Sequence, residues 1–140
     1  METKPKENEW RPKRILLVDA DADCRELLCL YLKRLNYPVP IEAVDGEDAV
    51  RKALREEPDL IILEIFLPKK DGFQVIADLR ANPLTRGAVI VAATAMALPD
   101  DRERCLAGGF DAYLSKPFTV RELGKLLQTI FPCDASPDRS

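Results

Sequence analysis

Apolar and polar positions fall along this chain in blocks of two different periods. Leu60–Leu63 is an unbroken apolar run that ends at one carboxylate, Glu64. A strand covered on both faces reads this way, because it has no wet side to alternate toward. Ile15–Val18, ending at Asp19, and 89–93, ending at Thr94, have the same form. A weaker run at 39–44 is interrupted by Pro40, which predicts an edge strand, and Ala112, Tyr113 and Leu114 predict a short last strand.

Between these runs the period lengthens to that of a helix. Cys24, Leu27, Leu28, Tyr31, Leu32 and Leu35 form a stripe at helical spacing; Asp23 is placed to cap it, with Glu26 three residues on, and Asn36 and Pro38 end it. Asp45-Gly46 turns into a helix over 47–57 that buries Val50, Ala53 and Leu54. Asp71-Gly72 feeds a helix carrying Phe73, Ile76 and Leu79, which Asn82-Pro83 terminates. Pro99 suits the first turn of a further helix and Gly108-Gly109 its end. Thr119 and Glu122 form a capping box for the last, with Val120, Leu123, Leu127, Ile130 and Phe131 inward.

Strand and helix thus alternate five times. Right-handed crossovers then give an α/β fold, a doubly wound parallel sheet with helices on both faces. One domain over 14–131 is expected, between a flexible polar arm at 1–13, whose Trp10 is its one large aromatic, and a flexible polar tail at 132–140.

Composition narrows the chemistry. Hydrophobic residues at 46% and charged ones at 32% suit a globular domain, and no apolar run approaches the roughly 20 residues of a membrane span. No membrane association and a cytoplasmic location are therefore expected. With no histidine in 140 residues, the usual catalytic triads and histidine-ligated metals are excluded. Cys24, Cys29, Cys105 and Cys133 lack close pairing, so the first three are expected as buried thiols and Cys133 as an exposed one. A net charge of -3 argues against nucleic-acid binding.

Asp19, Glu64, Thr94 and Lys116 stand at strand ends. A doubly wound sheet gathers such ends at one edge, where ligands bind. Any one of them could merely cap a strand, but two acids, a hydroxyl and an amine at matched positions point to a functional pocket.

These residues sit in a recognisable set. ILLVD19 followed by acids, LIILEIFLP-x-x-DG, VIVAATA and YLSKPF together resemble the receiver domain of bacterial response regulators, over about residues 14–131. The resemblance implies a flavodoxin-like fold with strand order 2-1-3-4-5. In that family an aspartate after the third strand accepts a phosphoryl group from a sensor histidine kinase or phosphotransfer protein. A pair of acids after the first strand holds Mg²⁺. Carried over, Thr94 is the switch hydroxyl, Lys116 the phosphate-binding amine, and Tyr113 the switch aromatic on the face made by the fourth helix, fifth strand and fifth helix. The Lys116–Pro117 bond is expected to be cis.

Two positions depart from the family pattern: the phosphoacceptor position holds Glu64, and Ala20 replaces the second acid of the metal pair, leaving Asp19. Mg²⁺ wants near-octahedral oxygen ligands, and Ala20 removes one; Asp21 lies one residue too far along and reads as a helix-start acid. Glu64 moves the carboxylate by about 1.5 Å, and misplacement of about 1 Å costs in-line transfer about 100-fold. Together the departures argue against ordinary phosphorylation. Glu64 then mimics a phosphorylated aspartate, or is silent in a receiver that signals by protein contacts, or accepts phosphate inefficiently.

Rival classes fit less. Asp19-Ala20-Asp21 resembles the D-x-D motif of haloacid-dehalogenase-type Mg²⁺-dependent phosphohydrolases, with Asp19 as nucleophile and Asp21 as acid, but a downstream acidic metal motif is missing and Glu64 is left without a role. A flavin-binding flavodoxin needs a phosphate-cradling loop where Asp19, Asp21 and Asp23 would repel phosphate. The expectation is a stand-alone receiver, degenerate or phosphomimetic, with no output domain after Phe131 and a downstream protein as target.

Overall fold

The computed structural model describes residues 11–95 and 100–131. Ten elements follow in strict alternation: β1 Ile15–Val18, α1 Ala22–Arg34, β2 Ile41–Ala43, α2 Gly46–Glu56, β3 Leu60–Leu63, α3 Gly72–Arg80, β4 Val89–Thr94, α4 Asp101–Ala107, β5 Ala112–Ser115 and α5 Val120–Ile130. The strands form one parallel sheet in the order β2-β1-β3-β4-β5, as the family resemblance implied. β2 lies at the edge, where Pro40 costs no ladder hydrogen bond.

The period-two geometry of the strands splits the core in two. Leu16, Val18, Ile61, Leu63, Ile90 and Ala92 face α2, α3 and α4 through Ala49, Ala53, Val75, Ile76, Leu79 and Cys105. Ile15, Leu17, Leu60, Ile62, Val91 and Ala93 face α1 and α5 through Leu28, Leu32, Leu123 and Leu127. β1 and β3 are buried at every position, which is why they read as unbroken apolar runs.

Helix ends follow the expected chemistry with one shift. Asp45 caps α2, and capping boxes start α3 at Asp71 with Gln74 and α5 at Thr119 with Glu122. For α1 the cap is Asp21, not Asp23: the Asp21 carboxylate accepts the Asp23 N–H at 2.9 Å. The chain turns two residues early because Asp19 Oδ1 accepts the Asp21 N–H at 2.9 Å, folding the loop back onto the strand end. Asn36 ends α1 in the left-handed region, φ 66°, which asparagine tolerates better than most residues.

Some packing expectations are corrected. Leu28 and Leu32 are buried, but Leu27 of the stripe is 47% exposed. Among the described cysteines Cys105 is buried, while Cys24 and Cys29 are half-buried. Cys24 and Leu27 line an apolar cleft of about 220 Å³ together with Tyr31, Lys116 and Phe118, so this end of the stripe meets a groove rather than the core. In α2 the buried apolar positions are Ala49 and Ala53, and Val50 and Leu54 are half-buried. Val120, Ile130 and Phe131 are likewise half-buried around Leu123 and Leu127.

Of the expected arm, residues 11–13 are described, and they are tied down. Arg11 donates to the carbonyls of Leu35 and Asn36 and stacks 4.1 Å over the Tyr37 ring, and the Lys13 N–H donates to Asp59 at 2.8 Å. Trp10, Pro99, Cys133 and the tail lie outside the described residues. Among the described residues no helix is long and apolar enough to cross a membrane.

Gly72 holds α3 against the end of β3. Its N–H donates to Ile65 O at 2.8 Å, and a Cβ there would lie 2.7 Å from Ile65 Cα and 2.9 Å from Glu64 O. Both are backbone atoms and cannot swing aside. Gly72→Ala is expected to lower stability by about 1–3 kcal/mol in urea denaturation. Gly87→Ala, which meets nothing within 4 Å, is expected to stay within about 0.5 kcal/mol of the unmodified protein.

Candidate functional site

The sheet ladder places the site backbone before any side chain is considered. One residue beyond each strand, the N–H still bonds to the neighbouring strand end: Asp19 N–H to Ala43 O at 3.1 Å, Glu64 N–H to Val18 O at 3.0 Å, and Lys116 N–H to Thr94 O at 2.9 Å. Asp19, Glu64 and Lys116 are thereby brought to the carboxyl edge of the sheet, although as many as 97 residues separate them. The Lys116–Pro117 bond is cis.

The side chains then close on one another. Lys116 Nζ donates to Asp19 Oδ2 at 2.6 Å and to Glu64 Oε1 at 2.8 Å. Asp19 Oδ1 takes the Asp21 N–H. Glu64 Oε2 takes two more donors, the N–H groups of Ile65 at 2.7 Å and Phe66 at 3.1 Å. Every oxygen of the two carboxylates therefore accepts from a donor of the chain itself. Asp19 is 4% and Glu64 7% exposed, so in water-poor surroundings these contacts decide whether the charges are tolerated.

Burial alone would pull the Lys116 ammonium below its ordinary pKa. Hydrogen bonds and charge from Asp19 and Glu64 outweigh that and raise it. Lys116 is thus held as a cation. The loop carrying Asp19 is pinned as well, since Arg25 donates to Asp19 O at 2.8 Å and pairs with Glu42 at 2.9 Å.

Thr94 is fully buried at the end of β4, opposite Ser115 of β5, so it stands at the same sheet edge. Tyr113 lies on β5 opposite Ala92 and packs, half-buried, on the face shared with α2, α3 and α4.

The two N–H groups that hold Glu64 Oε2 were not foreseen. Every residue but proline carries an N–H, and a shorter carboxylate also folds back onto a following amide, as Asp19 does onto the Asp21 N–H, so residue type gave no signal.

A divalent cation does not fit the residues present. Asp19 and Glu64 are already bridged by an ammonium, and Ala20 offers a methyl group where another oxygen is needed. Asp21 does not replace it, because its carboxylate caps α1, where the Asp23 and Cys24 backbone amides hold it below the usual carboxylate range. Among the described residues no group of three acids, cysteines or histidines is placed to hold a metal. The phosphohydrolase reading finds no support for the same reasons: its nucleophile position, Asp19, is ion-paired and its acid position, Asp21, is a helix cap.

Comparison with known proteins points to one family. A family model described as the response regulator receiver domain matches residues 15–128. The phosphate regulon transcriptional regulatory protein PhoB of Escherichia coli (strain K12) is 39% identical over 111 residues, 79% of this chain and 48% of that protein. The chain therefore spans about half the length of the curated relatives it matches first. An uncharacterized 14.6 kDa protein from the sodA1 3' region of Leptolyngbya boryana is 36% identical over 124 residues, 86% of this chain and 94% of that protein. Among solved structures, the receiver domain of sensor histidine kinase PA1611 from Pseudomonas aeruginosa PAO1 is similar with a TM-score of 0.78 and 37% identity, covering 86% of this chain and 98% of that one. That structure has a magnesium ion coordinated in its active site cleft.

Lys116→Met strands two buried carboxylates beside each other. It is expected to cost about 2–4 kcal/mol, less than for a fully buried pair because the Lys116 side chain keeps 18% of its surface in water. Because the folded lysine has the raised pKa, this difference is full below the unfolded value of about 10.4 and shrinks as pH climbs past it. Urea denaturation of both proteins from neutral to strongly alkaline pH measures it.

Proposed function

The chain belongs to the response regulator receiver domain family, and from that premise we propose that it is a degenerate receiver that works by protein contacts rather than by turning over phosphoryl groups. Receiver domains of two-component systems take their signal from histidine kinases or phosphotransfer proteins. In this reading such a protein remains a partner, the location is the cytoplasm, and the output is a downstream protein bound at the face made by α4, β5 and α5, with Tyr113 as its aromatic.

The observation that carries the reading is the closed cluster at the sheet edge. In-line transfer needs a carboxylate oxygen free to attack phosphorus, and donors free to take the charge that develops on the transferring group. Glu64 has neither oxygen free, and its partner Lys116 is shared with Asp19. The extra methylene also moves the oxygens off the aspartate position by about 1.5 Å. Without a metal clamp, nothing offsets these losses.

Silence rather than mimicry is the better account of Glu64. Two carboxylates and one ammonium leave the cluster with a single net negative charge, short of the nearly two that a phosphoryl group adds. Mimicry has one observation in its favour, the 2.8 Å bond from Lys116 to Glu64 Oε1, which brings negative charge to the family's phosphate-binding amine. Thr94 and Lys116 keep their family roles as the switch hydroxyl and the amine in either account.

Incubation with acetyl phosphate and Mg²⁺, followed by intact mass measurement, is expected to show no stable phosphoryl adduct on the unmodified chain. Ala20→Asp with Glu64→Asp is expected to gain one, because it restores a metal ligand and the aspartate geometry together. Ready uptake by the unmodified chain overturns the proposal.

A further inference from the structure

Two buried carboxylates facing one another need a cation, and the chain has two ways to supply it. One is a divalent ion from solution. The other is the ammonium of Lys116, which stands 2.6 Å from Asp19 Oδ2 and 2.8 Å from Glu64 Oε1, between the two acids. We propose that Lys116 is the permanent resident cation of this pocket, in the place a divalent metal would take, so that the folded shape of the site is independent of Mg²⁺. The inference rests on reading the pocket as a degenerate receiver site, and it names the group that replaces the metal.

Three features of the chain support it. The first is position: the Lys116 N–H is fixed on Thr94 O at 2.9 Å, so β5 delivers the side chain to the pocket mouth without any loop having to order. The second is saturation. A hexacoordinate ion at about 2.0–2.1 Å would need oxygen ligands that point at it. Asp19 Oδ1 and Glu64 Oε2 instead face the amides of Asp21, Ile65 and Phe66. The remaining two oxygens face Lys116, and Ala20 adds none. The third is tethering: a cation on the same chain competes at a high effective concentration, whatever the free ion concentration. The raised pKa of Lys116 agrees with an ammonium held by both acids.

On this account the two departures from the family pattern belong together. Ala20 removes the oxygen a metal needs most, and what remains are two acids that one ammonium neutralises in part. With Glu64 in place, removing that ammonium should open the pocket to metal more than adding one acid beside it does.

The test reads cation binding alone, through the electron paramagnetic resonance signal of free Mn²⁺. The unmodified chain is expected to leave that signal unchanged. Lys116→Gln, which keeps a side chain of similar length without the charge, is expected to bind Mn²⁺ about tenfold more tightly or better, since a unit charge a few ångströms away is removed. Ala20→Asp with Lys116 retained is expected to gain less than the same change combined with Lys116→Gln. Circular dichroism checks that each variant is folded. If Lys116→Gln is unfolded, nitrogen-15 resonance of the Lys116 ammonium in the unmodified chain decides: it is expected not to move as Mg²⁺ is added. Saturable displacement of that resonance, or Mn²⁺ binding by the unmodified chain equal to that of Lys116→Gln, overturns the proposal. So does a folded Lys116→Gln that gains no affinity. None of these readouts involves phosphate, so they can fail while the chain still refuses a phosphoryl group, and the reverse.

Discussion

Everything at the carboxyl edge of this sheet depends on one ammonium between two carboxylates. Asp19 and Glu64 leave adjacent strands at the same level, because Val18 pairs with Leu63 in the β1–β3 ladder. Their side chains are nearly sealed from water, and isolated charges there would cost several kcal/mol each. Lys116 arrives from β5, on the far side of β4, and makes the arrangement tolerable. The ion pairs also set which donors remain for anything else. With Lys116 spent on both acids and Glu64 turned back on its own loop, little of the pocket's polar surface is left over for a ligand.

That constraint explains the local design of the loop after β3. Glu64 takes the amides of Ile65 and Phe66. Ile65 O in turn takes the Gly72 N–H that starts α3, and Pro68 O takes the Gly46 N–H that starts α2. The side chain at the phosphoacceptor position is therefore built into the turn that seats two helices. Glu64 thus grips its own backbone with one carboxylate oxygen while the other meets Lys116.

Much of this was legible in the sequence, and the limits have physical causes. Unbroken runs such as Leu60–Leu63 announced strands covered on both faces, and the spacing of Thr119 with Glu122 announced the capping box that starts α5, while the box of Asp71 with Gln74 emerged from the structure. Motif spacing put Asp19, Glu64 and Lys116 at one edge. What sequence could not supply was the direction of each carboxylate. Whether Glu64 points at solvent, at Lys116 or at its own amides is a matter of rotamer, and residue type is silent on it. Similarly, the α1 stripe showed a helical period but not that its Cys24–Leu27 end meets a cleft beside Phe118 instead of the core. Asp21 and Asp23 are both acceptable caps by type; only the Asp19–Asp21 contact decides between them.

The two unusual positions are best understood as one change in what the pocket stabilises. A receiver that cycles needs a site poised between states, with acids short of a partner until metal and phosphoryl group arrive. With Ala20 in place of an acid, repulsion among the carboxylates is lower, and Glu64 rests on the amides of Ile65 and Phe66, donors that are always present. Both features favour internal satisfaction of the site, while the strands behind it are packed by apolar side chains on either face of the sheet. On the proposed reading, a site satisfied in this way leaves an incoming group little free-energy difference to exploit: a ligand shifts an equilibrium only through contacts it makes in one state and not the other. With Lys116, Asp19 and Glu64 already bonded to each other, those contacts are made before any signal arrives.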